Sequence, residues 1–304
     1  MQAYSRRILR CALLLFCAQL LFAANAFAQQ AAQKSFLWEI RGATGKAYLF
    51  GTIHVGKPDF FPLSSAIEQS FAQADGLAVE ADLTNEVKME EIVQKAQYEA
   101  PDNLEKHVSK ETMASVLAVT SQLNLSREMV VQMRPWLLGS AIVAIDLIKA
   151  GYDPTAGVDE YLVRQAKSTN KLLVELESVE FQANMMNGLS DHEQEAFLLS
   201  TVAPVRQGTS AAILNDTVRA WQTGNPGAME KVVQVSLKNG PMGEVLLEKI
   251  VYSRHPAMID NIDKLLKSGK TYFVAVGALH LVGNKGLVKL LRNKGYTVTL
   301  ETPA

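Results

Sequence analysis

Tyr48-Leu49-Phe50-Gly51-Thr52-Ile53-His54-Val55-Gly56 and Phe273-Val274-Ala275-Val276-Gly277-Ala278-Leu279-His280-Leu281-Val282-Gly283 are distant segments with one pattern. Each is an apolar run, then Gly-x-x-His, then a further glycine. With 19 glycines and 5 histidines in 304 residues, roughly 0.3 copies of Gly-x-x-His would arise by chance. Two copies, each closing a run rich in β-branched and aromatic residues, read as two strands that end in a histidine. Strands ending side by side bring distant imidazoles together, and imidazole binds metals and moves protons. The strands Lys46 to Ile53 and Thr271 to Val276 are therefore expected in one sheet, with Gly51 close to Gly277.

Around these segments the remaining strands and helices fall into place. Phe36 to Ile40 pairs with the first run as a hairpin across a glycine-bearing turn, Arg41 to Gly45. Pro62 and Ser64 open a helix with Ile67, Phe71 and Ala74 on one face, which Gly76 ends. Leu77 to Val79 is a short buried strand finishing at Glu80, and Lys171 to Leu176 another finishing at Glu177. Pro135 precedes a very apolar helix, Trp136 to Ile148, capped by Gly151, and a further helix starts at Asp159. Ser190-Asp191-His192-Glu193 is a capping box. Asn284 to Asn293 is a helix stopped by Gly295, and Tyr296 to Leu300 is the closing strand.

The fold class is thus α/β (α+β): a mixed central sheet from N- and C-terminal segments, with a large helical insertion at about 85–150 and 181–267. Residues 1–28 read as a cleavable signal peptide, with Arg6, Arg7 and Arg10, an apolar stretch from Cys11 to Phe22, and the small-x-small site Ala26-Phe27-Ala28. That leaves residues 29–304 as one domain, periplasmic or secreted, with no later stretch long enough to span a membrane. Both cysteines, Cys11 and Cys17, lie in the leader, so any metal in the mature chain must be held by His, Asp or Glu. Loss of the three arginines takes the net charge from −1 to about −4, which argues against nucleic-acid binding. Nothing in the pattern sets the oligomeric state.

His54, Glu80, Glu177 and His280 all sit at or just past strand ends, where functional groups collect in open α/β sheets. His54 and His280 with the Glu80 carboxylate would make an open divalent-metal site, and a second carboxylate could act as general base. The alternative is that both histidines are buried and bonded to backbone. Glu80 follows three apolar residues, where a charge is costly to bury without a partner; Glu177 can also cap the following helix. Arg134, between two apolar helices, and Arg254, after Val251-Tyr252-Ser253, can each hold a substrate carboxylate or stabilise an oxyanion, or serve as a structural ion pair. Asp159 reads as a helix cap. His192-Glu193 begins like a zinc-protease helix, but Ala196 stands where the second histidine belongs, and Gly283-Asn284-Lys285-Gly286 is not a Walker loop.

At Leu49 to Gly56, Leu77 to Glu80 and Val276 to Gly283 the chain resembles the TraB/PrgY/GumN family, which includes the Tiki metalloproteases. The likeness extends to Gly157-Val158-Asp159, Leu176-Glu177, Arg254 and Gly286-Leu287; His255 follows Arg254 where members often carry Asn. The resemblance implies a fold similar to the erythromycin-esterase/ChaN-like group. It also implies divalent-metal-dependent cleavage of a peptide or protein substrate, with His54, Glu80 and His280 at the matching positions and Mn, Co or Zn as the metal. A non-catalytic binder of peptide, haem or metal, and an accessory factor in envelope polysaccharide assembly, are the competing expectations. On the hydrolase reading, Glu80→Gln should abolish metal retention or turnover with little change in melting temperature.

Overall fold

Strand β2 (Lys46–Thr52) is buried at every position after Lys46, because it lies inside a sheet covered on both faces. The computed structural model describes residues 36–301 except 154 and 239–241, with side chains also excepted at 236–238. The leader read at 1–28 lies outside the described residues. With β1 (Leu37–Arg41), β3 (Gly76–Val79), β4 (Leu172–Glu175), β5 (Tyr272–Gly277) and β6 (Thr297–Leu300), β2 forms a six-stranded sheet in the order β4-β3-β5-β2-β1-β6. β1 pairs antiparallel with β2 and β6, while β2, β5, β3 and β4 run parallel to one another. The parallel strands β2, β3 and β5 read as continuous apolar runs because both their faces are covered, whereas the edge strand β6 alternates exposed and buried positions.

This topology sets the site. Four parallel strands finish on one edge of the sheet, so the residues just past β2, β3, β4 and β5 share that edge. Those residues include His54, Glu80, Glu177 and His280. The register brings Gly51 opposite Val276 and Thr52 opposite Gly277, so the echoed glycines are neighbours on paired strands. A Cβ on Gly51 would stand 2.8 Å from Phe36 Cδ1 and 3.1 Å from Ala278 Cα, so glycine is what lets β1 and the turn after β5 close over β2.

Helices fill the two long connections. Between β3 and β4 lie the α-helices Glu86–Lys95, Lys110–Gln122, Arg127–Gln132, Pro135–Lys149 and Val158–Ser168; between β4 and β5 the described residues form six more, from Val179–Asn187 to His255–Lys267. Three of them, Lys110–Gln122, Pro135–Lys149 and Asp191–Gln207, bury Val116, Leu138, Ile142 and Leu198 in a core separate from the one around the sheet. The capping box at Ser190 and Glu193 forms as the sequence predicts. Trp221, in helix Ser210–Gln222, donates its indole N–H to the Gly51 carbonyl over 2.8 Å and so fastens the insertion to the first Gly-x-x-His segment. Among the described residues no helix is long and apolar enough to cross a membrane.

Gly76, read as a helix stop, opens β3 instead, the helix before it ending at Gln73. Among the boundaries that differ from the sequence reading, two more lie near the strand ends. The last helix is Leu287–Asn293 and starts later than Asn284, because Gly283 sits at φ +79° and accepts from the Gly286 N–H in a turn. The helix expected from Asp159 begins at Val158 with Gly157 as its cap. This frees the Asp159 carboxylate for another partner.

Candidate functional site

Glu80 directly follows β3 with its side chain turned inward, among donors. Gly277 N–H donates to its Oε1 over 2.6 Å, and Arg254 Nη2 to its Oε2 over 2.5 Å. Arg254, buried ahead of helix His255–Lys267, also grips Glu177 from Nη2 (2.6 Å) and Nε (3.1 and 3.0 Å). Its Nη1 faces His280 Nε2 at 3.2 Å. The Gln182 amide donates to Glu177 Oε2 at 3.2 Å and to Glu80 Oε2 at 3.4 Å. One guanidinium therefore joins the residues that follow β3, β4 and β5. Burial opposes the Glu80 charge, yet the surrounding imidazoles, Arg254 and the Gly277 N–H outweigh it and draw the carboxyl down to about 2. Burial pushes His280 the other way, to about 3, so it is neutral. With His280 neutral, the His54 cation, Arg254 and the Gly277 N–H are what keep Glu80 ionised.

His54 stands at the mouth, its side chain 58% exposed, with Nδ1 3.1 Å from Asp159 Oδ1. The pair is close but not aligned as a hydrogen bond, and Asp159 Oδ1 is buried with no hydrogen-bond partner. The Asp159 charge lifts His54 above its ordinary 6.5 to about 9, although solvent around so exposed a ring screens the pair. Stability from this pairing is present below pH 6.5 and is lost as pH rises through about 9. Asp159→Asn is expected to return the His54 titration, followed by NMR, toward its ordinary range; an unmoved titration would show that Asp159 is not its cause.

The ring closes around Gly277. A Cβ on Gly277 would lie 3.3 Å from Glu80 Oε1, 3.6 Å from His280 Cδ2 and 3.6 Å from His54 Nε2. The absent methyl group leaves a space on which all three side chains converge. Above it opens a pocket of about 260 Å³ whose polar lining includes Thr52, His54, Glu80, Asp159, Arg254 and His280. Val79, Ala81, Leu83 and Ala275 supply an apolar wall. Thr52 Oγ1 is buried without a partner.

The structure thus brings together His54, Glu80, Glu177, Arg254 and His280. Glu177 lies behind Arg254 rather than on the pocket wall, so it positions the guanidinium. Arg134 lies apart: it stands at the N-cap position of helix Pro135–Lys149 without a side-chain capping bond, its guanidinium sits 5.2 Å from the Tyr98 ring, and it does not line the pocket. Its flanking apolar helices belong to the insertion and bury Val130, Leu138 and Ile142 in the core separate from the sheet. Sequence reasoning missed Gln182, Thr52 and the pairing of Asp159 with His54. Asp159 carried a signal, but a carboxylate in a helix's first turn is ordinarily a capping device.

Two imidazole nitrogens and a carboxylate converging on one space match an open divalent site in kind and number. Among the described residues no group of His, Asp or Glu is arranged to hold a metal ion as it stands, and Arg254 already occupies Glu80 Oε2 and faces His280 Nε2. A cation entering here has to displace the guanidinium from His280 and a proton from His54.

A family model described as TraB/PrgY/gumN matches residues 36–300. The uncharacterized protein YbaP of Escherichia coli (strain K12) is 27% identical over 256 residues, covering 81% of this chain and 87% of that protein. Metalloprotease TIKI1 of Danio rerio is 26% identical over 321 residues, 89% of this chain and 63% of its own length. The human metalloprotease TIKI1 is 22% identical over 322 residues, 89% of this chain and 62% of its own. The chain thus spans less than two thirds of these Tiki proteins. No solved structure matches it.

Proposed function

The chain belongs to the TraB/PrgY/gumN family, and from that premise we propose that it is an exported, divalent-metal-dependent hydrolase that cleaves peptide bonds. The observation that carries the reading is the convergence of His54 Nε2, Glu80 Oε1 and the His280 ring on the space left by Gly277. The metalloproteases among its relatives support the choice of a peptide substrate.

His54, Glu80 and His280 would hold the ion, which supplies Lewis acidity toward water and a scissile carbonyl. Mn, Co and Zn all suit such a donor set. Asp159 holds His54 with Nε2 toward the pocket, and the proton on that nitrogen leaves when it serves as a ligand. Glu177 and Gln182 fix Arg254, whose planar donors face the pocket where negative charge builds on a tetrahedral oxyanion. Val79, Ala81 and Leu83 exclude water from one side. Action in the periplasm or outside the cell follows from the leader read at residues 1–28.

A second reading is favoured by one observation: Arg254 bonds Glu80, Glu177 and His280 at once, as a resident cation would. On that reading the scaffold is a non-catalytic binder. A peptide-library digest with purified residues 29–304 separates the two. The hydrolase is expected to cleave, to stop on chelation and to resume with Mn²⁺ or Co²⁺. No cleavage under any metal supplement would leave the binder.

A further inference from the structure

The mechanism above uses His280 through one nitrogen and leaves unexplained a second buried histidine beside it. His255, 1% exposed, is the first residue of helix His255–Lys267. Its Nε2 lies 2.8 Å from His280 Nδ1, and its own Nδ1 lies 2.7 Å from the Lys285 carbonyl oxygen. The two rings meet edge to face, 5.1 Å between centroids and 63° between planes.

The hydrogens in this chain have one consistent arrangement. A carbonyl oxygen only accepts, so His255 Nδ1 carries a proton and donates to Lys285. At the far end a guanidinium only donates, so His280 Nε2 must offer a lone pair to Arg254 Nη1 at 3.2 Å. Between them one hydrogen is shared by His255 Nε2 and His280 Nδ1. If it sat on His255 Nε2, that ring would be an imidazolium and His280 would have to carry its hydrogen on Nε2, against Arg254. It therefore sits on His280 Nδ1. The polarity runs from Arg254 through His280 and His255 to the Lys285 carbonyl, fixed at both ends by groups that cannot reverse roles.

We propose that His255 is a positioning residue that locks His280 as the Nδ1–H tautomer, so that its Nε2 lone pair is presented to the site. Its value for metal binding rests on the proposed hydrolase reading, but the tautomer itself does not. The same lone pair that accepts from Arg254 is available to a cation without any exchange of hydrogens within the ring. A histidine ligand whose other nitrogen is anchored in this way binds metal about 10–100-fold more tightly than one left unanchored.

Long-range ¹H–¹⁵N NMR of purified, metal-free protein reads the tautomer directly. Wild type is expected to show His280 with Nδ1 protonated and Nε2 bare. His255→Phe keeps a ring of similar size but removes the acceptor, so the Nε2–H form of His280 should grow in, and Mn²⁺ affinity by titration calorimetry should fall about 10–100-fold. His255→Gln, which can accept from His280 and donate to Lys285, should restore both. A wild-type His280 protonated on Nε2, or a tautomer unchanged in His255→Phe, overturns the proposal. If His255→Phe does not fold, the wild-type spectrum and the Gln variant decide. An Nδ1–H tautomer that shifts as described in a protein that binds no Mn²⁺ upholds the role of His255 and removes the metal reading instead.

Discussion

Glu80→Gln is expected to reduce metal-dependent peptide cleavage by a factor on the order of 10³ or more, since it removes the one anionic ligand from the converging set. The change keeps the side chain's size but not its chemistry. Each Glu80 oxygen now accepts: Oε1 from the Gly277 N–H, Oε2 from Arg254 and Gln182. A glutamine has only one oxygen, so its amide NH₂ must face either Gly277 or Arg254, donor against donor. A conflict of this kind costs about 1–3 kcal/mol, and at roughly 2–4 °C per kcal/mol the melting temperature should drop by several degrees. The sequence reading expects almost no change in melting temperature, and the buried donors around Glu80 are the reason to revise it. Near-normal cleavage by this variant would remove Glu80 from the site's chemistry.

Arg254→Ala is expected to be the most destabilising substitution at the site. It leaves Glu80 and Glu177 buried side by side with their shared cation gone. Uncompensated buried charge costs about 3–5 kcal/mol, or roughly 10 °C in melting temperature for a chain of this size. The pH dependence carries the diagnosis. In wild type, Glu80 is depressed to about 2, so its contribution is present above the unfolded value near 4.5 and is lost only as pH falls through about 2. In the variant the guanidinium no longer opposes desolvation, so a carboxyl rises above its unfolded value and takes up a proton. A raised group stabilises below its unfolded pKa and loses that effect as pH climbs through the folded one. Urea denaturation should therefore find the deficit larger at pH 8 than at pH 5. An equal deficit at both would mean that packing, and not charge, is what Arg254 contributes.

How much of this was legible in sequence depends on which kind of element carried each residue. His54, Glu80, Glu177 and His280 were readable because a strand ends visibly, and parallel strands share the edge on which they end. The echo of Gly-x-x-His also marked β2 and β5 as close, and they are direct neighbours in register. Asp159 looked like a helix cap because its local pattern is that of one. Only folding shows that a Cβ on Gly157 would come within 3.1 Å of the His54 carbonyl carbon, which sets that helix start against the histidine. Gln182 and His255 sit on helices of the insertion, where no periodicity marks which turn faces the strand ends. Arg134 shows the converse: its neighbours in sequence suggested a site, while its helix packs into the separate core around Leu138 and Ile142.

The most direct test of the metal-centred account is a crystal of the protein soaked in Mn²⁺ and measured at the manganese absorption edge. The account predicts one anomalous peak per chain between His54, Glu80 and His280, with Arg254 withdrawn from His280 Nε2 but still held by Glu177. A soaked crystal with no peak among those three residues, and with the Arg254–His280 contact intact, would contradict it.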